Sequence, residues 1–336
     1  MAAVTTPLIQ EQATSHRPET VSVVVCANTE ERWDDIAGGI RSLSGQTHIP
    51  EQVVLVIDYN DDLLEKAANA YASPFGDTGG MRIDVVTNTS DRGLCGARNS
   101  GLTWCDGDVV TFLDADTRIG DPRWIATMLG AYIDSSVAGV GGGAIPNWSG
   151  LAPPEWFPSE FGWVVGCSYL GLPREPAHVR NFMSCNMSFR REVFEWVGGF
   201  PEVTGRADEK PVRCEETEYC VRLQRRFPGA RLVFDPGLNV FHRVSPLHRE
   251  FKYFRSRCWS EGKSKARIAR DVGTRFGLAA EGIYGTKVLP MGVLRGIGEG
   301  MRGQLNGFRR AGAIALGAIW TTAGYACGRV GRPTAA

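Results

Sequence analysis

Residues 108–116 read Asp-Val-Val-Thr-Phe-Leu-Asp-Ala-Asp, and this stretch decides the fold. Its apolar and β-branched residues run without interruption, which predicts a strand over 108–113 that ends at Asp114 and belongs to a parallel sheet. In such sheets, ligands bind beyond the carboxyl ends of the strands, where Asp114 and Asp116 stand. Two carboxylates at this spacing suit a divalent cation that also bridges substrate phosphates, although Asp is also common in solvated turns.

The segments before this strand alternate between strand and helix patterns. Strands are predicted over 21–26, 53–57 and 81–86, and helices over 34–44, 63–71 and 99–104. This alternation implies a parallel sheet with right-handed crossovers. Asp58 ends the second strand and is therefore expected in the same crevice as Asp114, where it suits ribose hydroxyls or a base edge, unless it only makes a turn.

Beyond residue 120 the pattern becomes mixed. It predicts helices over 124–133, 191–197 and 215–226, strands over 137–141, 181–189, 231–234 and 238–242, and an irregular loop region over 146–178. Helices are predicted again over 250–270, 274–288 and 291–310, followed by an uncharged stretch over 311–328. A helix of that length spans roughly 27 Å, which is marginal for a bilayer, so packing or interfacial association is favoured over a true span.

The charges are unevenly distributed along the chain. The 336 residues carry 37 Lys+Arg and 37 Asp+Glu, but residues 1–240 hold 20 basic and 32 acidic side chains, whereas 241–336 hold 17 and 5. Such asymmetry predicts a basic end that meets a polyanion or an anionic membrane surface. The hydrophobic fraction of 43% excludes a disordered scaffold.

Several function classes are disfavoured by the motifs that the sequence lacks. No GxGxxG follows the first strand and no GxxxxGK[ST] occurs, so dinucleotide-binding and P-loop folds are not expected. The nine cysteines form no CxxC pair, which disfavours a zinc ribbon and is typical of reduced cytosolic thiols. Residues 1–19 lack a basic segment followed by an apolar one, so a flexible tail is expected there and not a signal peptide.

Three further groups of polar residues offer chemistry, each with a structural alternative. Arg92, Arg98 and Asn99 stand among glycine turns before a helix, where arginines and helix N-termini suit phosphate, or where Asn99 caps the helix. The pair Glu215-Glu216 opens a helix and offers a general base, or only complements the helix dipole. His242 follows a strand and offers a metal ligand, or is a structural histidine.

Together and in this order, these pieces resemble the family 2 glycosyltransferases, whose fold is called GT-A. The resemblance covers about residues 20–265 and rests on Asp58, Gly93-x-x-x-Ala97-Arg98-Asn99-x-Gly101, Asp114-x-Asp116, Asn186-Met187-Ser188-Phe189-Arg190-Arg191, Val197-Gly198-Gly199-Phe200, Glu215-Glu216-x-Glu218 and His242. Residues 290–330 resemble the C-terminal extension of actinobacterial members, some of which are labelled glucosyl-dolichyl phosphate glucuronosyltransferase. The resemblance implies an α/β fold in which helices flank a mixed, mostly parallel sheet. A GT-A catalytic domain is expected over 20–245, and a basic helical extension that meets the membrane over 246–330.

The family's activity is inverting transfer of a sugar from a nucleotide diphosphate, most often UDP, to a hydroxyl group. The resemblance implies a lipid-linked or cell-envelope glycan as the acceptor and Mg²⁺ or Mn²⁺ as the cofactor. The residues that it assigns to the nucleotide sugar are Asp58, Arg92, Arg98, Asn99 and Asp114, and those that it assigns to the metal are Asp116 and His242. The usual base is an Asp after a Glu. Glu216 stands at that position here, and Glu215 competes with it.

Contacts with the acceptor or the diphosphate are expected from Trp163, Asn186, Arg255 and Arg257. Trp163 lies in the aromatic loop region and the two arginines in the basic helix 250–270, although aromatic residues are more often core and basic faces are often only solvated. The expected location is the cytoplasm, peripherally at the inner face of the cell membrane. The expected partners are a polyprenyl-phosphate-linked or glycan acceptor and anionic lipid, with no nucleic acid; the oligomeric state is left open.

Two alternatives follow from the same features. A sugar-phosphate nucleotidyltransferase shares the parallel sheet and the acidic metal site, but it requires a Gly-rich loop with Lys or Arg after the first strand, and residues 26–30 (Cys-Ala-Asn-Thr-Glu) do not supply one. A nucleic-acid-binding protein that uses the basic tail is the remote alternative, since it leaves the acidic crevice without a role.

Overall fold

The computed structural model describes residues 17–72, 79–201, 215–271 and 281–330. Its described residues form two compact units. Unit 1 holds residues up to 144, then 173–201 and 215–241, and unit 2 holds 145–172, 242–271 and 281–330. Of the expected tail 1–19, residues 1–16 lie outside the described residues.

A sheet of nine strands forms the centre of unit 1, and two of its strands, β6 and β9, continue into unit 2. The strands are β1 Val21–Ala27, β2 Gln52–Ile57, β3 Arg82–Thr87, β4 Val109–Asp114, β5 Thr117–Ile119, β6 Val137–Asn147, β7 Ala177–His178, β8 Asn186–Arg190 and β9 Arg231–Arg243. Their order is β3-β2-β1-β4-β8-β6-β9-β5, and β7 pairs with β9. The first four strands in this order are parallel, and β8 runs antiparallel to β4 and β6. The expected α/β class with a mixed, mostly parallel sheet is confirmed.

The position of β1 in the middle of the sheet, covered on both faces, explains why its sequence is almost entirely apolar. Val23 and Val25 pack into a core that includes Ile36 of the helix that follows, while Val24 packs on the opposite face with Phe112. The one polar side chain of the strand, Ser22, donates a hydrogen bond of 2.6 Å to Gln52 Oε1, so its burial leaves no hydroxyl unsatisfied.

Helices cover both faces of this sheet. They are α1 Trp33–Ser44, α2 Asp61–Ala70, α3 Leu94–Leu102, α4 Trp124–Ala131, α5 Arg191–Val197 and α6 Glu215–Arg226. The predicted start of α3 at Asn99 is wrong, because Gly93, with a φ of 122°, ends the preceding loop and the helix begins at Leu94. A Cβ atom on Gly101 would come within 2.7 Å of Val24, so a glycine is required where α3 crosses the sheet.

Three strands of the structure differ from the predicted bounds. The two segments predicted over 231–234 and 238–242 form one strand, β9, which continues through Pro236 and Gly237. Within it, the Gly237 amide donates a 2.8 Å hydrogen bond to Asp235 Oδ1. Strand β8 begins at Asn186 and not at residue 181, and β6 continues to Asn147 through glycines that indicated a turn. The short strand β5 was not predicted at all.

Unit 2 is built mainly of helices. They are α7 Phe251–Asp271, α8 Glu281–Ile283, a π-helical turn over Tyr284–Val288, α9 Leu289–Met301 and α10 Asn306–Val330, with 3-10 turns over Ser159–Val165 and Pro246–Arg249. Phe161, Phe254, Cys258 and Ile314 form part of its buried core.

The C-terminal helices also differ from their predicted bounds. The helix predicted over 291–310 is broken after Met301, where Gly303 has a φ of 90°, and the uncharged stretch 311–328 lies inside the longer α10. Residues 274–280 of another predicted helix lie outside the described residues. Within the described ranges, none of the helices combines the length and the hydropathy needed to cross a membrane.

Candidate active site

A pocket of about 220 Å³ opens in unit 1 at the carboxyl ends of the parallel strands. Residues 26–29 end β1 and follow it, and Asp58 follows β2. Gly93 and Leu94 stand at the start of α3, Asp114 ends β4, and Ala115 and Asp116 follow it. The three carboxylates that the sequence placed in one crevice therefore line one pocket. This agrees with the rule that such sheets bind ligands at this edge.

Asp58 is fixed by the loop that precedes α3. Its Oδ1 accepts a hydrogen bond of 2.7 Å from Asn88 Nδ2, and its two oxygens accept bonds of 3.2 and 3.1 Å from the backbone amide of Gly93. The side chain is buried, yet it lines the pocket, so its remaining acceptor capacity is directed at whatever the pocket holds. Asn88 was not among the predicted residues.

Arg92 lies on the surface beside this loop. Its guanidinium carbon is 6.0 Å from the centroid of the Tyr59 ring, and the Tyr59 hydroxyl donates a 2.8 Å hydrogen bond to the carbonyl of Ser90. Tyr59 has a φ of 52°, a conformation that is uncommon outside glycine. An exposed arginine over an exposed aromatic ring offers a flat, cationic surface beside Asp58.

Asp114 and Asp116 bring their carboxylates together at the end of β4. Oxygen atoms of the two side chains lie within 4.8 Å of each other. Arg32 Nη1 donates a 3.1 Å bond to Asp116 Oδ2, and the Thr117 hydroxyl donates a 2.7 Å bond to the Asp114 carbonyl and tightens the turn between them. Two partly exposed carboxylates at this separation are hard oxygen ligands suited to Mg²⁺ or Mn²⁺. Arg32 was not predicted, although it stands close after β1.

Arg98 is buried beneath this edge and is not among the residues that line the pocket. Its guanidinium donates bonds of 3.3 Å to Asp114 Oδ1 and 3.3 Å to Glu215 Oε1, and one of 2.9 Å to the carbonyl of Ser184. Burial alone lowers the pKa of this guanidinium, but Asp114 and Glu215 outweigh burial and raise it, so Arg98 is a permanent cation. It ties the end of β4 to the start of α6. Its expected contact with the nucleotide stays a prediction.

Glu215 and Glu216 both have side-chain partners. Glu215 is ion-paired with Arg98, and Glu216 Oε1 accepts a 3.1 Å hydrogen bond from the hydroxyl of Thr217. Both side chains are half-buried at the start of α6, where carboxylates also complement the helix dipole.

Two predicted polar residues make backbone contacts inside unit 1. Asn99 bonds both the amide and the carbonyl of Phe200, at 2.8 and 3.0 Å, which ties α3 to the segment after α5. Its predicted role as the cap of α3 is wrong, because it lies in the middle of that helix. Asn186 donates to the carbonyls of Gly143 and Leu238 at 2.8 and 2.7 Å. For both residues, contact with a substrate stays a prediction.

The remaining predicted residues belong to unit 2. His242 is buried, and its Nδ1 is 3.8 Å from Cys167 Sγ. Trp163 Nε1 donates a 3.0 Å bond to the Tyr284 hydroxyl. Arg255 is exposed, whereas Nε and Nη1 of Arg257 are buried and have no hydrogen-bond partner within the part of the chain that the structure describes. Two buried N–H donors in this state are costly, so Arg257, which as a residue is half-buried, is suited to an anion.

Comparisons with known proteins agree with this arrangement. The family model for glycosyl transferase family 2 matches residues 22–198. A glucosyl-dolichyl phosphate glucuronosyltransferase from Haloferax volcanii is 34% identical over 248 residues, which cover 73% of this chain and 76% of that protein. A pre-mycofactocin glycosyltransferase from Mycobacterium tuberculosis is 30% identical over 166 residues, which cover 48% of this chain and 32% of that protein.

Two solved structures share the fold. A mannosyltransferase from Pyrobaculum calidifontis, in complex with GDP-Man and Mn²⁺, has a TM-score of 0.55 at 17% identity, covering 96% of this chain and 90% of its own. GalNAc-T7 with UDP, GalNAc and Mn²⁺ has a TM-score of 0.51 at 18% identity, covering 78% of this chain and 56% of its own.

Proposed function

The chain belongs to glycosyltransferase family 2, and we propose that it transfers a sugar with inversion from a nucleotide diphosphate, UDP first among them, to a hydroxyl of a lipid-linked or cell-envelope glycan. The observation that carries this proposal is the pocket at the carboxyl ends of β1, β2 and β4, where Asp58, Asp114 and Asp116 converge. We take residues 20–245 as the catalytic segment and 246–330 as the extension.

The donor is proposed to lie along this edge of the sheet. Asp58 accepts hydrogen bonds from the base or the ribose, since it lines the pocket with its orientation already fixed by Asn88 and Gly93. Arg92 and Tyr59 form the exposed flank, where a guanidinium suits phosphate and a ring suits a base. Asp114 contacts the ribose or the donor sugar.

The residues at the end of β4 fit a divalent cation, either Mg²⁺ or Mn²⁺. A diphosphate is repelled by an acidic pocket, and a bound cation neutralises the charge that develops on the departing diphosphate. Asp116 would hold the cation beside Asp114, and Arg32, whose side chain is 49% exposed, is free to turn towards solvent.

We propose His242 as a third ligand, on observations made within unit 1. Strand β5 begins at the residue after Asp116 and neighbours β9 in the sheet. The ring of Phe241, the residue before His242, lies against Gly120 at the end of β5. His242 therefore belongs to β9, and β9 lies beside β5, the strand that begins directly after Asp116.

Glu216 is the proposed base. It stands at the start of α6, at the position where the family pattern has its base, and the ion pair of Glu215 with Arg98 gives that other carboxylate a structural role. Glu216 takes the proton of the acceptor hydroxyl as its oxygen attacks the anomeric carbon. The bond from that carbon to the diphosphate breaks on the opposite face, and the diphosphate leaves with the electron pair. Arg98 holds Glu215 and Asp114 in place while this occurs.

An anionic acceptor is proposed to contact unit 2. The buried Nε and Nη1 of Arg257 and the exposed Arg255 suit a phosphate, as in a polyprenyl-phosphate-linked glycan. Trp163 of unit 2 and Asn186 of unit 1 are further candidates. The name of the relative from Haloferax volcanii contains a dolichyl phosphate, which agrees with this class. Such acceptors place the enzyme at the cytoplasmic face of an anionic cell membrane.

The proposed function is tested by thermal unfolding with UDP-, GDP- and dTDP-sugars, each with and without Mn²⁺. We expect one nucleotide class to stabilise the protein only together with the cation, since a ligand of the native state raises its unfolding temperature. Asp116→Asn should abolish this stabilisation, and Asp106→Asn, an exposed carboxylate outside the pocket, should retain it. Equal behaviour of the two variants, or release of pyrophosphate from a nucleoside triphosphate and a sugar phosphate, would overturn the proposal.

A further inference from the structure

Helix α9 and the start of α10 expose an unusual number of large apolar side chains. Six of them, which we call the apolar face, lie within 18 residues: Met291, Leu294, Ile297, Met301, Leu305 and Phe308. Their exposure ranges from 39% at Ile297 to 79% at Met301. Single exposed apolar residues are normal, but a group of them along α9, the turn after it and the start of α10 marks an interaction surface.

The opposite side of α9 is made of glycines. Gly292, Gly296 and Gly300 are buried, and a Cβ atom on Gly296 would come within 2.7 Å of the Gly307 carbonyl oxygen and 3.0 Å of Ala311 Cβ. At 3.6 residues per turn, these glycines lie on the side of α9 roughly opposite to Leu294 and Met301. At Gly296 the two helices therefore meet through small residues at close backbone distance. Gly300 and Gly292 instead make room for the ring of Phe308 and the side chain of Ile314.

This arrangement inverts the pattern of a water-soluble helix pair. In water, the large apolar residues form the seam and the polar residues face outwards. In lipid, helices pack through small residues and direct their large apolar side chains at the surrounding chains. The hairpin of α9 and α10 follows the second pattern where Gly296 meets Gly307, since Leu294 and Met301 of the same helix α9 are exposed.

The charges around the apolar face favour a lipid with an anionic headgroup. Residues 281–330 contain six basic and two acidic side chains. One of those acids, Glu299, is hydrogen-bonded to Arg310, whereas Lys287 and Arg302 are exposed before and after α9. Basic side chains at the ends of an apolar helix face reach anionic headgroups while the apolar side chains enter the acyl region.

The length of α9 favours a helix that lies in the membrane interface over one that spans the bilayer. Its 13 residues extend about 20 Å, which is shorter than the roughly 30 Å of a bilayer core. No helix within the described ranges meets the requirements of a span. A helix of this kind lies in the plane of the interface, with one face immersed.

We propose that the apolar face of α9 and α10 enters one leaflet of an anionic phospholipid bilayer and holds the enzyme at the membrane. This proposal rests on the proposed function, because the enzyme needs membrane contact if its acceptor is linked to a lipid in the bilayer. It goes further in assigning the contact to residues 291–308 and not to the basic helix α7. A second copy of the chain that covers the same face is the competing occupant, and it is an outcome of the test.

The test uses the full chain and vesicles of phosphatidylcholine, with and without about 30% phosphatidylglycerol. We expect the protein to sediment with the anionic vesicles. The double substitution Leu294→Glu/Met301→Glu should weaken partitioning at least about tenfold, because it removes two immersed side chains and adds two charges of the wrong sign. Arg302→Gln should weaken binding about fivefold, and only to the anionic vesicles. Ile133→Glu, which charges a side chain 61% exposed in unit 1, is the matched control and should bind as the unaltered protein does.

Two controls separate the possible failures. Stabilisation by nucleotide sugar and Mn²⁺ should be equal in the unaltered protein and the double variant, which shows that the variant is folded and that the donor site is independent of the face. Vesicle binding without any nucleotide effect would defeat the proposed function and leave this proposal standing. The proposal is overturned if the double variant sediments as well as the unaltered protein, if neither binds vesicles, or if light scattering shows a dimer that the double variant dissociates while vesicle binding is absent.

Discussion

Units 1 and 2 distribute their apolar residues in opposite ways. In unit 1, large apolar side chains fill both faces of the sheet, and the polar groups collect at one edge, around Asp58 and Asp114. In α9 and α10 of unit 2, glycines bring the two backbones together at Gly296 and Gly307, and large apolar side chains such as Leu294 and Met301 are exposed. The first pattern is typical of a core formed in water, and the second agrees with the proposed contact with lipid. We therefore assign the chemistry to unit 1 and propose that this hairpin docks.

The largest effect that would sharpen this comparison is expected at the base. Glu216→Gln should lower the rate of sugar transfer by about 10²–10⁴, since the amide accepts no proton, and should leave vesicle binding unchanged. The measurement is release of the nucleoside diphosphate with the donor identified by thermal unfolding. Glu218→Gln, which alters the carboxylate paired with Arg222 one position beyond Thr217, is the control and should keep most of the activity. A larger loss in Glu215→Gln than in Glu216→Gln would assign the base to Glu215.

The next effect concerns the stability of unit 1. Arg98→Met removes a cation that is ion-paired with two partly buried carboxylates, and breaking a buried pair of this kind costs about 3–5 kcal/mol. Urea unfolding should report this loss of unfolding free energy. Arg32→Met breaks the half-exposed pair with Asp116 and should cost less than about 1 kcal/mol. If the two variants were equally stable, Arg98 would not hold the edge of the sheet together.

The smallest effect is expected where α9 and α10 meet. Its absence would contradict the difference in packing between units 1 and 2. Gly296→Ala adds a methyl group against the Gly307 backbone and should cost about 1–3 kcal/mol. Gly298→Ala, where no atom lies within 4 Å of the added carbon, should instead stabilise the helix by up to about 1 kcal/mol. Thermal unfolding of the two variants measures this difference in sign. The same sign in both would show that the glycine seam is not tightly packed.

The strands and their terminal carboxylates were predictable because the signals are local. Continuous apolar runs placed β1, β2 and β4 nearly to the residue, and the rule for parallel sheets then placed Asp58 and Asp114 in one pocket. Neither step required knowledge of contacts between distant residues.

The partners of Arg98 were not predictable in this way. Its carboxylate Glu215 is 117 positions away, and no periodicity in the sequence reports such a pair. For the same reason, the backbone contacts of Asn186 and Asn99 were missed, and Asn99 was instead interpreted by the local rule for helix caps. The glycine seam was missed because the packing role of a glycine in a helix is set by the helix that it touches, and no local pattern reports that contact.

The shared ion pairs of Arg98 also constrain how this sequence can diverge. Replacing Arg98 alone leaves Asp114 and Glu215 without their common counter-charge, and replacing both acids leaves a buried cation. Single changes at these positions are therefore selected against, and accepted changes should come as joint substitutions. We expect relatives with a neutral residue at position 98 to carry a neutral residue at position 114 or 215 as well.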